Sequence, residues 1–159
     1  MAEKTKAKAR PEDALAFLKQ EHKALETLSR AFDAALSSEA SEKVILGLVA
    51  DILKGLRTHT RLEEDVFYPV LIETEVVEEP VVLVNMEQHH VWDLIMNDLE
   101  ATDVSDPRFI PRIIVLVEYA LEHMQEEEEE LFPEVRRLLG KEALLEMGQV
   151  LRDARERLG

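Results

Sequence analysis

The chain has 159 residues, contains no cysteine and carries a formal charge of −15 at pH 7. The absence of cysteine excludes disulfides, thiolate metal sites, iron–sulfur clusters and cysteine nucleophiles. The negative charge argues against nucleic acid as a partner, because binding to phosphates needs a positive surface. No stretch approaches the ~20 apolar residues that a membrane-spanning helix needs, so we expect one cytoplasmic domain that contacts neither nucleic acid nor membrane.

Residues 1–10 are basic and alanine-rich and contain no apolar run, so we predict a disordered tail and no secretory signal. The domain, residues 11–159, should open on a helix, because Pro11 suits the first helical position and Glu12 and Asp13 face the positive end of the helix dipole. Only five glycines and the helical spacing of apolar residues predict an all-α fold. We expect an antiparallel up-down four-helix bundle with an additional short C-terminal helix.

Helices one and two each carry an apolar stripe with polar interruptions. In helix one, which ends near Leu36, the stripe comprises Leu15, Leu18, His22, Leu25, Leu28 and Phe32. Residues 37–40 are typical of a turn, and Ser41 is a candidate cap for helix two. The stripe of helix two comprises Ile45, Leu48, Ile52, Leu56, His59, Glu63, Val66 and Val70. Pro69 should kink or end this helix, because proline removes a backbone hydrogen bond.

Helices three and four are separated by a polar loop at residues 102–107. Helix three is predicted from near Pro80 to about Glu100. Helix four should run from about residue 107 to residue 139, with a second internal proline at Pro133, and Gly140 suits its C-terminal end. Residues 141–158 form a fifth amphipathic segment that could cover one end of the bundle.

An internal duplication relates the two halves of the chain. Residues 59–69, His-Thr-Arg-Leu-Glu-Glu-Asp-Val-Phe-Tyr-Pro, match residues 123–133, His-Met-Gln-Glu-Glu-Glu-Glu-Glu-Leu-Phe-Pro, position by position. Residues 22–26, His-Lys-Ala-Leu-Glu, match residues 89–93, His-His-Val-Trp-Asp. The pattern indicates two copies of one helical hairpin.

Two histidine–glutamate pairs in the duplicated segments predict a metal site. His59 with Glu63, and His123 with Glu127, are each four residues apart, so each pair points the same way from one helix face. Burying these groups in a dry bundle is costly unless something pairs with them. A metal cation does so for all of them at once, and imidazole with carboxylate suits iron, with manganese or zinc also possible.

His22 and His89 complete the predicted set. A single buried histidine is more often a satisfied core residue, but four histidines at matching heights of four helices favour a metal. His89 lies roughly 50° from the apolar direction of helix three and His90 about 150° from it, so we expect His89 to face inward. His90 should be exposed or lie behind the ligands.

For several acidic residues the sequence allows either a role at the metal site or a position on the solvated surface. Glu26 and Asp93 follow His22 and His89 by one turn, and either a contact with the site or a plain surface position fits the spacing. The acidic run 126–130 should be mostly a solvated face, since Glu127 alone repeats the spacing of Glu63. The overall acidity fits a solvated surface, with attraction of cations as the functional alternative.

These ordered motifs resemble the hemerythrin family in its bacterial HHE cation-binding form. The resemblance rests on a histidine in helix one, His-x-x-x-Glu before Phe-Tyr-Pro, Gln-His in helix three, and His-x-x-x-Glu-Glu before Leu-Phe-Pro. It implies two iron ions joined by an oxo or hydroxo bridge. The implied terminal ligands are His22, His59, His89 and His123, and the implied bridging ligands are Glu63 and Glu127.

The sequence departs from the oxygen-carrying members of that family in helix three. Those members have two histidines four residues apart, whereas here His89 is followed by Asp93. Two octahedral irons offer about 12 coordination positions, of which this donor set fills roughly ten. The more open site favours reactive or sensing chemistry over reversible carriage.

The resemblance implies a protein that binds or senses dioxygen or a related small diatomic. One alternative is a di-iron enzyme acting on peroxide or nitric oxide, and another is an iron- or redox-responsive regulator with an unknown protein partner. Binding or sensing is favoured over enzymatic activity, because no spacing identifies a general acid or a substrate pocket. A ferritin-like carboxylate site is disfavoured, since it needs Glu-x-x-His on two helices and only Glu87 with His90 has that order.

Overall fold

A computed structural model describes residues 12–159, and the regular structure in this range is entirely helical. The α-helices are α1 (Ala14–Ser37), α2 (Glu42–Leu62), α3 (Tyr68–Glu73), α4 (Glu79–Glu100), α5 (Phe109–Glu126), α6 (Phe132–Leu139) and α7 (Lys141–Leu158). Two π-helical turns, Glu63–Phe67 and Glu127–Leu131, join α2 to α3 and α5 to α6. Within the described range, none of these helices has the length and apolarity to cross a bilayer.

Because each π turn continues the helix before it, the described chain forms four long rods and one shorter helix. The rods are α1, residues 42–73, α4 and residues 109–139, and α7 is the additional helix. Helix α1 packs against α2, α4 packs against α5, and α1 also contacts α5. The predicted four-helix bundle with an extra C-terminal helix is therefore confirmed.

The first described helix starts three residues after the predicted proline. Pro11 and the predicted tail, residues 1–10, lie outside the described residues. Helix α1 begins at Ala14, and the side chain of Asp13 accepts a hydrogen bond of 2.9 Å from the Ala16 backbone N–H. Ser41 occupies the cap position of α2, but its side chain makes no capping hydrogen bond. Asp13 is thus the effective cap of the two.

Pro69 and Pro133 do not end their helices, since the rods continue to Glu73 and Leu139. Each proline lies in the first turn of the α-helical segment that follows a π turn. In a π turn the hydrogen bond spans five residues instead of four, and a proline in a first turn costs little because its missing N–H needs no helical partner. The π turn therefore accommodates the proline that we expected to kink or stop the helix.

Two apolar clusters fill the interior on either side of a polar layer. One cluster combines the start of α1, the first π turn, α3, α6 and the buried face of α7, which contributes Leu144, Met147, Leu151 and Ala154. The other combines the remaining parts of α1, α2, α4 and α5 around Trp92. The buried histidines and glutamates lie between them, so the bundle presents a polar layer enclosed by apolar residues.

Candidate metal centre

All six residues proposed as ligands from the sequence lie together in the polar layer. His59, Glu63, His89, His123 and Glu127 are at most 1% exposed, and His22 is 4% exposed. Their nitrogen and oxygen atoms form two groups, each with all atoms within 4.8 Å of one another. One group contains His22, His59, Glu63 and Glu127, and the other contains Glu63, His89 and His123. Each group can hold one metal ion.

The two carboxylates lie between the imidazoles. Nε2 of His59 and Nε2 of His89 lie 3.2 and 3.3 Å from Oε2 of Glu63. Nε2 of His22 and Nε2 of His123 both lie 3.5 Å from Oε2 of Glu127. Nε2 of His22 is also 3.8 Å from Oε1 of Glu63, which places that carboxylate between the two groups.

The duplication assigns one pair of histidines to each group. His22 and His59 come from the first hairpin, and His89 and His123 come from the second. A π turn begins at Glu63 in the first copy and at Glu127 in the second. The two carboxylates therefore sit at equivalent positions of the repeat and meet at its centre.

Oxygen atoms outside the layer fix three of the four imidazole rings. Nδ1 lies 2.8 Å from Glu128 Oε1 in His22, 3.1 Å from Glu64 Oε1 in His89 and 2.6 Å from Gln88 Oε1 in His123. Carboxylate and amide oxygens only accept, so Nδ1 carries the proton and donates in each ring. In a neutral ring this leaves the lone pair of Nε2 directed at the interior, the arrangement that metal-binding histidines use.

The inward atoms have no hydrogen-bond partner. Within the described residues, Nε2 of each of the four histidines, Oε1 of Glu63 and Oε2 of Glu127 are buried and unpaired. Leaving one buried polar group unpaired costs about 1–3 kcal/mol, so six together at one point would be strongly destabilising. A pair of cations would satisfy all of them, and the mixed nitrogen and oxygen donors suit iron, manganese or zinc. The residues present therefore fit a two-metal site.

The pKa values of the two glutamates are shifted in opposite directions. Burial opposes ionisation of Glu63, but the adjacent imidazoles of His59, His22 and His89 hold its pKa well below the usual range. Burial and the adjacent charge of Glu63 hold the pKa of Glu127 well above the usual range. The layer therefore favours ionisation of Glu63 and disfavours ionisation of Glu127, because two adjacent buried charges of one sign repel.

The pKa values of the histidines are also shifted in opposite directions. Burial disfavours the charged form of His89, but the nearby carboxylates of Glu63 and Glu64 outweigh it and raise its pKa to about 9. Burial lowers the pKa of His123 to about 3 and also lowers the pKa of His59. Metal binding would have to displace the protons of His89 and Glu127, since ligands bind in their deprotonated forms.

Sequence reasoning missed Tyr68, whose hydroxyl oxygen lies 3.0 Å from Oε2 of Glu63 and 2.7 Å from Oε1 of Glu127. On an α-helix a residue five positions after Glu63 would point away from it. In the π turn the backbone N–H of Tyr68 instead donates to the carbonyl of Glu63, which brings the two residues to the same side. The sequence did contain a signal: when the two copies of the repeat are aligned, the tyrosine of Phe-Tyr-Pro occupies the position of Phe132.

The structure shows where the residues lie whose positions the sequence had left undecided. His90 and Asp93 are exposed, so His89 alone enters the layer from α4. Glu26 is half-buried and pairs with Arg30 one turn along α1. Of the acidic run, Glu127 belongs to the layer and Glu128 holds His22 from outside. Neither Glu26 nor Asp93 contacts the candidate site.

Two surface grooves reach the polar layer from different sides. A groove of about 490 Å³ between α4 and the second π turn reaches Glu127 and is lined by several glutamates and by apolar residues that include Val81, Val84 and Leu131. A second groove, of about 500 Å³, lies between α1 and α5 and reaches His22 among mostly charged and polar residues. Small molecules thus have two approaches to the layer, both with carboxylates in their walls.

Comparisons with known proteins agree with this geometry. The sequence profile of the family described as hemerythrin HHE cation binding domain matches residues 13–135. The chain belongs to that family. A crystal structure of a hemerythrin HHE cation binding domain-containing protein from Mycobacterium kansasii, an Rv2633c homologue, shares the fold with a TM-score of 0.74. It is 24% identical, and the alignment covers 92% of this chain and 87% of that one. No curated protein matches the chain.

Proposed function

We propose that the protein binds two iron ions in the polar layer and uses them to bind or sense dioxygen or a related small diatomic molecule. The observation that carries this proposal is the convergence of four unpaired Nε2 atoms and two carboxylates at one buried place. Manganese or zinc would satisfy the same donors, so the identity of the metal rests on experiment. The expected cytoplasmic location belongs to the same proposal.

When bound, two irons would supply redox chemistry and coordination positions for a small ligand. The protein's own contribution is to hold Glu63 and Glu127 between the two histidine pairs and to orient the rings through Glu64, Gln88 and Glu128. Aromatic rings enclose the layer: Phe132 stacks on His22 at 5.6 Å, and Trp92 lies 5.0 Å from His123. This wall limits water while the grooves admit small molecules.

Metal content and the visible spectrum test the proposal directly. Protein loaded with ferrous iron without oxygen should contain two irons per chain and should change its absorption when oxygen is added. Removing the oxygen should reverse the change if the protein binds or senses the gas. Binding of zinc alone, with no spectral response to oxygen, would contradict the proposal and leave a structural metal site.

An enzyme acting on peroxide or nitric oxide is the second candidate. The exposure of Asp93 favours it, because no side chain of α4 other than His89 fills the positions that a further ligand would take. Repeated turnover of peroxide or nitric oxide by the iron-loaded protein would support this reading over reversible binding. A regulatory role needs a surface that responds to the metal, and the apolar face of α7 is occupied by packing in the core.

A further inference from the structure

Helix α4 is apolar on its outer face as well as its inner face. Five of the ten large apolar side chains exposed among residues 12–159 belong to it, at 40–59% exposure: Val81, Leu83, Val84, Val91 and Leu94. Scattered exposed apolar residues are ordinary, but half of those in the described range belong to this one helix, which marks it as a candidate interaction surface. None of these five residues is needed to hold the polar layer.

Four outward residues of α4 are spaced symmetrically. Leu83, Glu87, His90 and Leu94 follow one another at steps of four, three and four, so the spacing is the same from either end. At about 100° per residue they fall within ~60° of one another on the helix surface. All four are exposed, and the side-chain hydrogen bonds of α4 within the described range come from other residues, among them Gln88 and His89.

We infer that this face is the interface of a homodimer in which two copies of α4 pack antiparallel about a two-fold axis between residues 88 and 89. That axis places Leu83 against the partner's Leu94 and Glu87 against the partner's His90. The interface is self-complementary, with two leucine contacts at its ends and two acid–imidazole pairs at its centre. Val84 and Val91 extend the apolar contact along one edge.

A second copy explains the symmetry that another partner would not require. In any two-fold interface a residue must match the residue that the axis brings opposite to it, and here each acid meets an imidazole. A different protein could match the apolar patch, but it would gain nothing from the equal spacing at both ends. Because one helix face per copy is small, we expect a dissociation constant of roughly 1–100 µM.

The mass of the metal-loaded protein in solution, measured by sedimentation over a range of concentrations, tests the interface. The wild-type chain should be dimeric at the highest protein concentrations, and the Leu94→Glu variant should be monomeric at every concentration. Val115→Glu is the matched control, because Val115 is 55% exposed on α5, close to the 53% of Leu94, and should leave the dimer unchanged. A monomer at every concentration, or a dimer that survives Leu94→Glu, would overturn the inference.

A charge exchange distinguishes this antiparallel pairing from other dimers. His90→Glu places four carboxylates at the centre and should weaken the dimer by roughly tenfold or more, because like charges at an interface repel. Adding Glu87→His to that variant restores two acid–imidazole pairs and should recover most of the affinity. Failure of the double variant to recover would show that Glu87 and His90 do not face each other. Unchanged helical content of each variant confirms that folding is intact.

Discussion

The hydroxyl of Tyr68 lies 2.7 Å from Oε1 of Glu127, a residue 59 positions later in the chain. The same hydroxyl is 3.0 Å from Glu63, although a hydroxyl carries one proton. Because that hydroxyl has one proton, Tyr68 can donate to only one of the two carboxylates at a time, and it therefore links Glu63 to Glu127.

Replacing Tyr68 by phenylalanine should therefore loosen the two carboxylates without altering the imidazoles. We expect Tyr68→Phe to lower metal affinity by roughly 10-fold, the usual effect of removing a group that orients ligands. Competition with a metal-sensitive dye measures it. Tyr119→Phe, the same chemical change on half-buried α5 surface, is the control and should bind metal normally. Equal affinity of the two variants would show that the hydroxyl does not position the carboxylates.

The ligand assignment predicts which side chains are needed for iron binding and which are not. His59→Ala and Glu63→Ala should each lower iron content sharply from two per chain, because Glu63 belongs to both groups and His59 to one of them. His90→Ala should retain two irons, since His90 is exposed. Elemental analysis after identical loading measures the content. Similar losses in all three variants would contradict the orientation of α4.

Glu127→Gln separates metal binding from folding. Because burial and the charge of Glu63 raise the pKa of Glu127 and so favour its neutral form, the amide is a close mimic and should change the free energy of unfolding by less than about 1 kcal/mol. The same variant should bind metal weakly, since an amide carries no charge and coordinates poorly. Iron should raise the melting temperature of the wild-type protein and leave that of Glu127→Gln nearly unchanged. An equal rise in both proteins would remove Glu127 from the site.

Gly148 tests the close approach of α7 to the start of α1. A β-carbon at Gly148 would lie 2.4 Å from the Glu12 carbonyl oxygen and 2.9 Å from the Ala14 nitrogen, which are backbone atoms that cannot rotate away. We expect Gly148→Ala to destabilise the protein by about 1–3 kcal/mol. Gly47→Ala, where a β-carbon meets nothing within 4 Å, should instead stabilise α2 by about 0.5–1 kcal/mol. Chemical denaturation measures both, and a stable Gly148→Ala would contradict the packing of α7.

Asp13 predicts a pH-dependent contribution to stability. Burial opposes its ionisation, but hydrogen bonds from Arg136 and the Ala16 backbone hold its pKa below the usual value of 3.8. A lowered pKa in the folded state means that the contribution is complete above pH 3.8 and is lost as the pH falls through the folded value. Asp13→Ala should therefore cost about 1 kcal/mol near neutral pH and less in acid.

Ser41→Ala is the control for this effect, because the Ser41 side chain makes no capping hydrogen bond. It should change the free energy of unfolding little at any pH, which urea denaturation at pH 7 and pH 3 would show. A constant cost of Asp13→Ala across that range would mean that the charge of Asp13 contributes nothing.

Local spacing was sufficient for most of the architecture and for the six clustered residues. His59 with Glu63 and His123 with Glu127 share a helix face because a four-residue step is nearly one turn, a property of each helix by itself. The duplication then predicted that His22 and His89 would join them, and the structure brings all six together. The helices, the polar loops and the additional C-terminal segment could also be predicted from the sequence, because they depend on residues that are close together in the chain.

What only the tertiary structure decided depends on contacts between distant residues. Tyr68 reaches the layer because a π turn alters the helical period, whereas Asp93 lies exposed on the uninterrupted helix α4. The partners of the imidazoles, Glu64, Gln88 and Glu128, follow from how the rods pack. The opposite pKa shifts of Glu63 and Glu127 arise in the same way, since they depend on burial and on repulsion between side chains that are 64 residues apart in the sequence.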